Sequence, residues 1–359
     1  MLLLKLATLA LTCVVASTTA KSDSIIPLLD NLLDKNNHND EKPCADVDCL
    51  YRIRTTGSLN TKDFALYLEN EQGIPMSIFH DLPFKPASRS DPDIFNMIIE
   101  IPRSNLAKTE TTKEVVMNPI KQDFWDDGSL RYLPNMYPTR GVIANYGAIQ
   151  QTYEDPNFKD PSTGAFGDND PIDVVEISET PGFIGQVKQV KVLGGLCLID
   201  EGSLDWKVIT LDIHNPKAQY INNMDDVEKY YPGFQDEVRN WFRTYKIPTN
   251  GKANTFGFGG RYMDKEYTLS VIYQTHDFWK ALIDGRTTSK KTEKGTIKTA
   301  TITNENSPYE VNANTPEVQS VPENNPQEPK PIPEKYYEWS FVPPSHKNTN
   351  HIKPKPNFR

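Results

Sequence analysis

The chain has 359 residues, of which 37% are hydrophobic and 24% charged, so part of it can bury a sizeable core. A mean hydropathy of -0.58 and 28 unevenly spread prolines indicate a globular body that carries polar extensions. The formal net charge of -9 excludes nucleic-acid binding through the overall field, so an anionic ligand needs a local group of basic residues or bound metal ions.

The first twenty residues predict a secretory signal peptide. Lys5 precedes an apolar run from Leu6 to Ala16, and small residues continue to Ala20, after which cleavage is expected. A mitochondrial presequence would be rich in arginine, whereas the first arginine here is Arg52. An uncleaved membrane anchor is the weaker alternative because the apolar run is short. We therefore expect a secreted protein without stable membrane insertion.

Residues 21–57 are predicted to form an acidic N-terminal extension that contains two of the four cysteines. Cys44 and Cys49 can close a small local disulfide in an oxidising compartment. Half of a zinc site is the weaker alternative, because no second half with matching spacing exists. Cys197 lies inside an apolar run and is predicted to be a buried free thiol.

Residues 58–285 have the patterns of a folded α+β domain. Phe64, Leu66 and Leu68 alternate as in a half-buried strand, and the runs IFNMIIEI, VKQVKVLGGLCLI and WKVITLDI are also typical of strands. Apolar residues recur at helical spacing over residues 234–245 and again over residues 269–279, with Gly285 suited to end the second helix. Strands in the middle and helices near the end favour an antiparallel sheet or barrel.

Residues 286–359 are predicted to be a disordered tail, because they are rich in Pro, Asn, Lys, Thr and Glu and have no sustained periodicity. One aromatic island, KYYEWSFVPP, interrupts this composition. We favour an interpretation in which the island folds back onto the body over one in which it is a docking motif for a partner.

The segment GDNDPIDVVEI is the most informative part of the sequence for chemistry. Asp168, Asp170 and Asp173 lie within six residues, and three carboxylates so close together require solvent or cations. Their hard oxygen atoms suit Mg²⁺ or Mn²⁺. An acidic surface turn is the simpler alternative. An EF-hand calcium loop fits poorly, because Ile172 replaces a ligand and Asp173 stands where that loop requires glycine.

Acidic and basic residues also recur inside apolar, strand-like runs. Asp205 and Lys207 are two apart, so their side chains share one face of a strand, and Lys108 and Glu110 repeat that spacing. Arg131 interrupts another apolar run. A single pair of this kind is usually a surface salt bridge, but the recurrence favours a common site. The same set includes Glu100, Asp200, Tyr245 and Lys246.

The segment DNDPIDV resembles the signature of the family I soluble inorganic pyrophosphatases. The segments EIPR, AKTE, NPIKQD, LRYLPNMYPTRGVIANYGAIQQTYEDP, GQVKQVKVLG, DEGSLDWKV, WFRTYKIP and QTHDFWK are similar to the eukaryotic branch in the same order. The resemblance runs from about Phe64 to Ile283. It implies a small closed antiparallel β-barrel of OB-like, Greek-key type with peripheral helices, assembled as a homodimer.

The resemblance also implies an activity, the hydrolysis of pyrophosphate to two phosphates by a metal-activated water, with magnesium as cofactor and manganese as a possible substitute. It implies that six acidic residues surround the metals, namely Asp168, Asp173, Asp205, Asp200, Glu110 and Glu100. It assigns the deprotonation of water to Asp170, and the phosphate contacts to Lys108, Arg131, Tyr146, Lys207, Tyr245 and Lys246. Of these, Asp170, Lys108, Arg131 and Tyr146 form the predicted catalytic set.

Two other functions are compatible with parts of the sequence. A secreted acidic calcium-binding protein explains the net charge but not the cations at Lys108, Arg131, Lys207 and Lys246. A pyrophosphatase-like interaction module without activity is disfavoured by the intact metal-ligand residues. The cytoplasm, which is the usual location for this family, is the alternative to secretion.

Overall fold

The computed structural model describes residues 51–291 and 294–342. The predicted signal peptide, Cys44 and Cys49 lie outside the described residues, as does the end of the chain after residue 342. The predictions about the leader and about a disulfide therefore remain predictions.

Strands make up most of the regular structure. In chain order they are β1 (Arg52–Ser58), β2 (Ala65–Glu69), β3 (Pro75–Met76), β4 (Ile94–Ile101), β5 (Thr109–Thr111), β6 (Ile120–Gln122), β7 (Asn135–Met136), β8 (Asn145–Ile149), β9 (Phe166–Gly167), β10 (Ile172–Glu176), β11 (Val187–Asp200), β12 (Ser203–Asp212), β13 (Thr255–Phe256), β14 (Asn325–Gln327) and β15 (Trp339–Ser340).

The helices are α1 (Ile78–Asp81), α2 (Met224–Tyr230), α3 (Phe234–Thr244), α4 (Ile247–Asn250), α5 (Lys265–Ile283) and α6 (Pro316–Gln319). The two predicted helices are confirmed as α3 and α5. The side chain of Asp264 caps the start of α5 by accepting a hydrogen bond from the Tyr267 amide at 2.8 Å, and Gly285 follows its end at φ +70°. Within the described residues, no helix is both long and apolar enough to cross a membrane.

Five strands form the predicted closed barrel. β4 pairs with β8 and β11, β8 pairs with β10, β10 pairs with β12, and β12 returns to β11. The prediction of a wholly antiparallel barrel was wrong in one pair, since β10 and β12 are parallel. Strand directions cannot alternate all the way around a ring of five strands, so at least one neighbouring pair in it must be parallel. The α+β class is confirmed.

Helices α3 and α5 cover different parts of the barrel. Trp241 and Phe242 of α3 pack in one apolar cluster with buried residues of β10, β11 and β12. Val271 and Ile272 of α5 pack in another, which includes Trp206. Cys197 lies in the second cluster and is a buried free thiol, as predicted.

A second sheet combines strands from early in the described residues with β14 from near their end. Its order is β14-β1-β2-β6-β5, with β3 on β2. Because β1 begins at Arg52, the folded body starts before residue 58, where the sequence placed its boundary. Strand alternation alone does not mark this start, since β1 is polar and is held by backbone pairing with β2.

The prediction of disorder was wrong for the described part of residues 286–342. β14 pairs with β1, and β15 pairs with β7. Val318 and Val321 are buried in one cluster with Ala65 and Tyr67 of β2. Composition underestimates this segment because it docks onto a finished surface through backbone hydrogen bonds and a few apolar side chains, without a core of its own. Residues 335–342 of the aromatic island fold back onto the body, as expected, since Trp339 and Ser340 pair with β7 and the Tyr336 ring packs against Tyr132.

Candidate active site

Three carboxylates form the acidic centre of the site. Glu154, Asp168 and Asp205 each offer an oxygen, and these oxygens all lie within 4.8 Å of one another. The turn before β10 presents Asp168, whose Oδ1 accepts a hydrogen bond from the Asp170 amide at 3.0 Å. Burial and mutual repulsion raise the pKa of Glu154 and Asp168 well above the usual range, and burial raises the pKa of Asp205 to about 8. Such a group is stable only when protons or cations compensate its charge.

Glu154 was missed by the sequence analysis, although it lies in the segment YEDP that carried the resemblance. Its Oε1 accepts a hydrogen bond from the Trp206 amide at 3.0 Å, while its buried Oε2 has no hydrogen-bond partner among the described residues. An unsatisfied buried carboxylate oxygen beside two other carboxylates fits a divalent cation with hard oxygen ligands. The donor set therefore suits Mg²⁺ or Mn²⁺.

The parallel pair of β10 and β12 brings the next group together. Asp173 lies opposite Lys207 in the strand register. Lys207 contacts the carboxylates of Asp173 and Asp205, and its Nζ donates to the Tyr146 hydroxyl at 2.9 Å. Tyr146, on β8, donates in turn to Asp173. The prediction that Asp205 and Lys207 share a face is confirmed.

Lys207 is charged although it is only 2% exposed. Burial alone would lower the pKa of its ammonium group, but the carboxylates of Asp173 and Asp205 outweigh that effect and raise the pKa well above its usual value. Burial and the negative charge of Asp173 raise the pKa of Tyr146, so its hydroxyl stays protonated and able to donate.

Asp123, which directly follows β6, lies at the centre of a second group of charged side chains next to β5 and β6. Its Oδ2 contacts Lys108 Nζ at 3.1 Å and Arg131 Nη1 at 2.6 Å. Lys108 also contacts Glu110, so all three of the predicted residues in this region lie together. Burial would raise the pKa of Asp123, but Lys108 and Arg131 hold it below the usual range. Lys294, from the segment predicted to be disordered, contacts the other oxygen of Asp123.

Three more of the predicted residues, Asp200, Tyr245 and Lys246, form a third group. Lys246 Nζ lies 2.6 Å from Asp200 Oδ1, and the Tyr245 hydroxyl lies 3.4 Å from the other oxygen of Asp200. Asp200 ends β11, while Tyr245 and Lys246 follow α3, so barrel and helix meet here. Burial and the charge of Asp200 raise the pKa of the Tyr245 hydroxyl well above its usual value.

Asp170 and Glu100 have different surroundings. Asp170 is 46% exposed at its side chain and contacts Lys113, whose Nζ also donates to the Asn169 carbonyl at 2.8 Å. Glu100 is buried, and its Oε1 accepts hydrogen bonds from the amide and hydroxyl of Thr111 at 2.8 and 2.5 Å. Burial raises the pKa of Glu100 to about 8. One Glu100 oxygen is therefore committed to β5.

Four residues of the site were not predicted from the sequence. Glu154 and Asp123 lie in segments that carried the resemblance, but a single acidic residue gives no local sign of burial. Lys113 and Lys294 lie in polar stretches, where lysines are ordinary surface residues. Their contacts with Asp170 and Asp123 form only when the strands and the C-terminal segment come together in the fold.

Comparison with known proteins identifies the arrangement. Residues 97–280 match the family model described as inorganic pyrophosphatase. The chain is 45% identical over 292 residues to the inorganic pyrophosphatase of Zygosaccharomyces bailii, which covers 81% of this chain and 98% of that relative. It is 42% identical over 293 residues to that of Schizosaccharomyces pombe, covering 81% and 97%.

Solved structures agree with the sequence comparison. The inorganic pyrophosphatase of Schistosoma japonicum superimposes with a TM-score of 0.72 at 37% identity, covering 81% of this chain and all of that one. An N-terminally truncated vacuolar soluble pyrophosphatase of Trypanosoma cruzi, solved in complex with PPi, matches with a TM-score of 0.58 at 38% identity, covering 64% of this chain and 90% of that one. The chain belongs to the family I inorganic pyrophosphatases.

Proposed function

We propose that the acidic centre holds divalent metal ions, and that the cations around it hold pyrophosphate while water hydrolyses it to two phosphates. The observation that carries this proposal is that a buried cation, Lys207, contacts the carboxylates of Asp173 and Asp205, the second of which belongs to the acidic centre. An acidic calcium-binding protein needs the carboxylates alone, whereas a polyanionic substrate held by metals needs both sets.

The residues best suited to hold the metal are Asp168, Asp173 and Asp205, with Glu154 beside them. Asp200, Glu110 and Glu100 complete the acidic surroundings. Magnesium is the proposed ion, and manganese its substitute, because every donor is a hard oxygen. A bound divalent ion supplies two effects, neutralisation of phosphate oxygens and a lower pKa for a coordinated water.

The side chains of the site exchange partners when ligands bind. Lys207 and Tyr146 contact Asp173, and Lys246 contacts Asp200, so these cations and carboxylates compensate each other. Carboxylates that bind cations release these donors, which are then available to the phosphate oxygens.

Two roles remain, the acceptance of a proton and the orientation of the phosphates. Asp170 is exposed enough to receive a proton from the attacking water, and Lys113 fixes the position of its carboxylate. Lys108 and Arg131 orient one side of the substrate, and Tyr245 and Lys246 the other. The complex of the Trypanosoma cruzi relative with PPi supports a pyrophosphate site on this fold.

The test is the substitution Asp173→Asn, which keeps the shape of the side chain but removes a proposed metal ligand. Phosphate release with saturating Mg²⁺ should fall by more than about a hundredfold, the scale seen when preorganised charge is lost from a site. The matched control is Asp277→Asn on the outer face of α5, where the side chain is 75% exposed, and its activity should match that of the unaltered protein. Near-normal phosphate release by Asp173→Asn would contradict the proposed metal site.

A homodimer is the proposed assembly, and the supporting observation is an exposed aromatic patch. Tyr137, Trp339 and Phe341 are 65%, 44% and 72% exposed, and the rings of Trp339 and Phe341 both pack against that of Tyr137. Clusters of this kind are uncommon on monomer surfaces. Sedimentation should give a dimer for the unaltered chain and a monomer for Phe341→Ser combined with Trp339→Ser; a dimer in both cases would contradict this interface.

Secretion is the proposed destination, and it is supported by the leader pattern of residues 1–20. Expression of the full chain in a eukaryotic cell should deliver pyrophosphatase activity to the medium. Activity confined to the cytosol would contradict the proposal.

A further inference from the structure

The C-terminal segment, which comprises the described residues after 285, contacts the proposed phosphate site through the side chain of Lys294. Lys294 contacts Asp123 Oδ1, and its Nζ lies 3.4 Å from Glu110 Oε1. The Lys294 side chain is 38% exposed, while Asp123 is 1% exposed, so a buried carboxylate is capped by a cation at the surface.

Backbone contacts just after Lys294 fix the path of the segment. The Lys298 amide donates to the Lys113 carbonyl at 2.8 Å, and the Lys298 carbonyl accepts a hydrogen bond from Asn118 at 3.2 Å. Ile297 is 8% exposed and packs in an apolar cluster with Trp279 of α5. Lys294 is therefore presented to Asp123 by an anchored backbone.

Asp123 links this contact to the substrate. Its Oδ2 contacts Lys108 and Arg131, the two cations proposed above for the phosphates, while its Oδ1 contacts Lys294 and accepts from the Phe124 amide at 2.8 Å. The carboxylate is thus held at both oxygens. This group has five charged side chains, the cations Lys108, Arg131 and Lys294 and the carboxylates of Asp123 and Glu110. Their formal net charge is +1 with Lys294 and zero without it.

We propose that Lys294 is a positioning residue for pyrophosphate, which acts through Asp123 to orient Lys108 and Arg131 and keeps a positive charge at the phosphate site. This inference rests on the proposed function of that site. It makes the C-terminal segment part of the substrate-binding apparatus.

The experiment compares three variants of the full chain, Lys294→Ala, Lys294→Arg and Lys298→Ala. Lys298 is the matched control, because the residue is exposed and its hydrogen bonds to Lys113, Asn118 and His80 are made by backbone atoms. Measured quantities are kcat and KM for magnesium pyrophosphate, the Kd of methylenediphosphonate (a non-hydrolysable analogue) at saturating Mg²⁺, and the melting temperature.

For Lys294→Ala, KM and Kd should rise about twofold to fivefold, the range for a partly exposed charge pair, with kcat changed by less than about twofold. Lys294→Arg should restore both constants, and Lys298→Ala should match the unaltered protein. Unchanged KM and Kd in Lys294→Ala would overturn the inference. So would failure of Lys294→Arg to restore them, or an equal rise in Lys298→Ala.

Arg131→Met separates this inference from the function on which it rests. If Arg131→Met weakens analogue binding and Lys294→Ala does not, only the role of Lys294 is wrong. If neither variant changes analogue binding, the proposed phosphate site is itself wrong.

Discussion

His80 should make the stability of this protein depend on pH below neutrality. The ring is fully buried, and the Trp279 indole N–H donates to its Nδ1 at 3.0 Å. Because an indole can only donate, Nδ1 must be the unprotonated nitrogen. Nε2 then carries the proton and donates to the Lys298 carbonyl at 3.0 Å, which ties the C-terminal segment to the body. A second proton on this ring would break the bond to Trp279 and bury a charge.

The magnitude follows from the two pKa values. Burial lowers the pKa of His80 to about 3, whereas an unfolded histidine titrates near 6.5. Between these values the unfolded chain binds a proton that the folded protein does not, so stability falls as the pH falls. The limiting slope is about 1.4 kcal/mol per pH unit, and lowering the pH from 6.5 to 4.5 should cost about 2 kcal/mol from this residue alone.

The assay is urea unfolding at pH 6.5 and 4.5 for the unaltered protein and for His80→Gln. Glutamine does not titrate, and its amide retains a donor for the Lys298 carbonyl. Its absolute stability can be lower, but its loss of stability between the two pH values should be smaller by about 2 kcal/mol. Equal losses in the unaltered protein and His80→Gln would refute the reasoning.

Three further predictions concern substrate binding, the C-terminal segment and the leader. Lys207→Met should weaken binding of methylenediphosphonate without abolishing Mg²⁺ binding, and calorimetric titration with each ligand tests this; lost Mg²⁺ affinity would instead make Lys207 a support of the acidic centre. Composition alone predicts that truncation after Gly285 leaves stability unchanged. The structure instead predicts that this truncation lowers the melting temperature by more than about 5 °C, because it removes buried side chains that cover β2. An unchanged melting curve would contradict the docking of this segment. Intact-mass analysis of the secreted protein should show loss of residues 1–20 and a disulfide between Cys44 and Cys49, whereas a retained leader or freely alkylated thiols would count against secretion.

Local sequence patterns predicted more of the secondary structure and of the site residues of this protein than its amino-acid composition did. Helices α3 and α5 were predictable because helical spacing and end signals lie within a few residues of one another. The shared face of Asp205 and Lys207 followed from the two-residue repeat of a strand. The cluster of aspartates at residues 168–173 indicated hard metal ligands in the same local way.

Tertiary structure alone decided which of these local features meet. Lys207 lies opposite Asp173 only because β10 and β12 are parallel neighbours, and the closure of a five-stranded ring imposes such a pair. Phe64, Leu66 and Leu68 predicted a half-buried strand, yet both faces of β2 are buried. The second face is covered by Val318 and Val321, from a segment whose composition predicted disorder. The physical reason is that composition measures whether a segment can build its own core, whereas docking needs only a finished surface, backbone partners and a few apolar contacts.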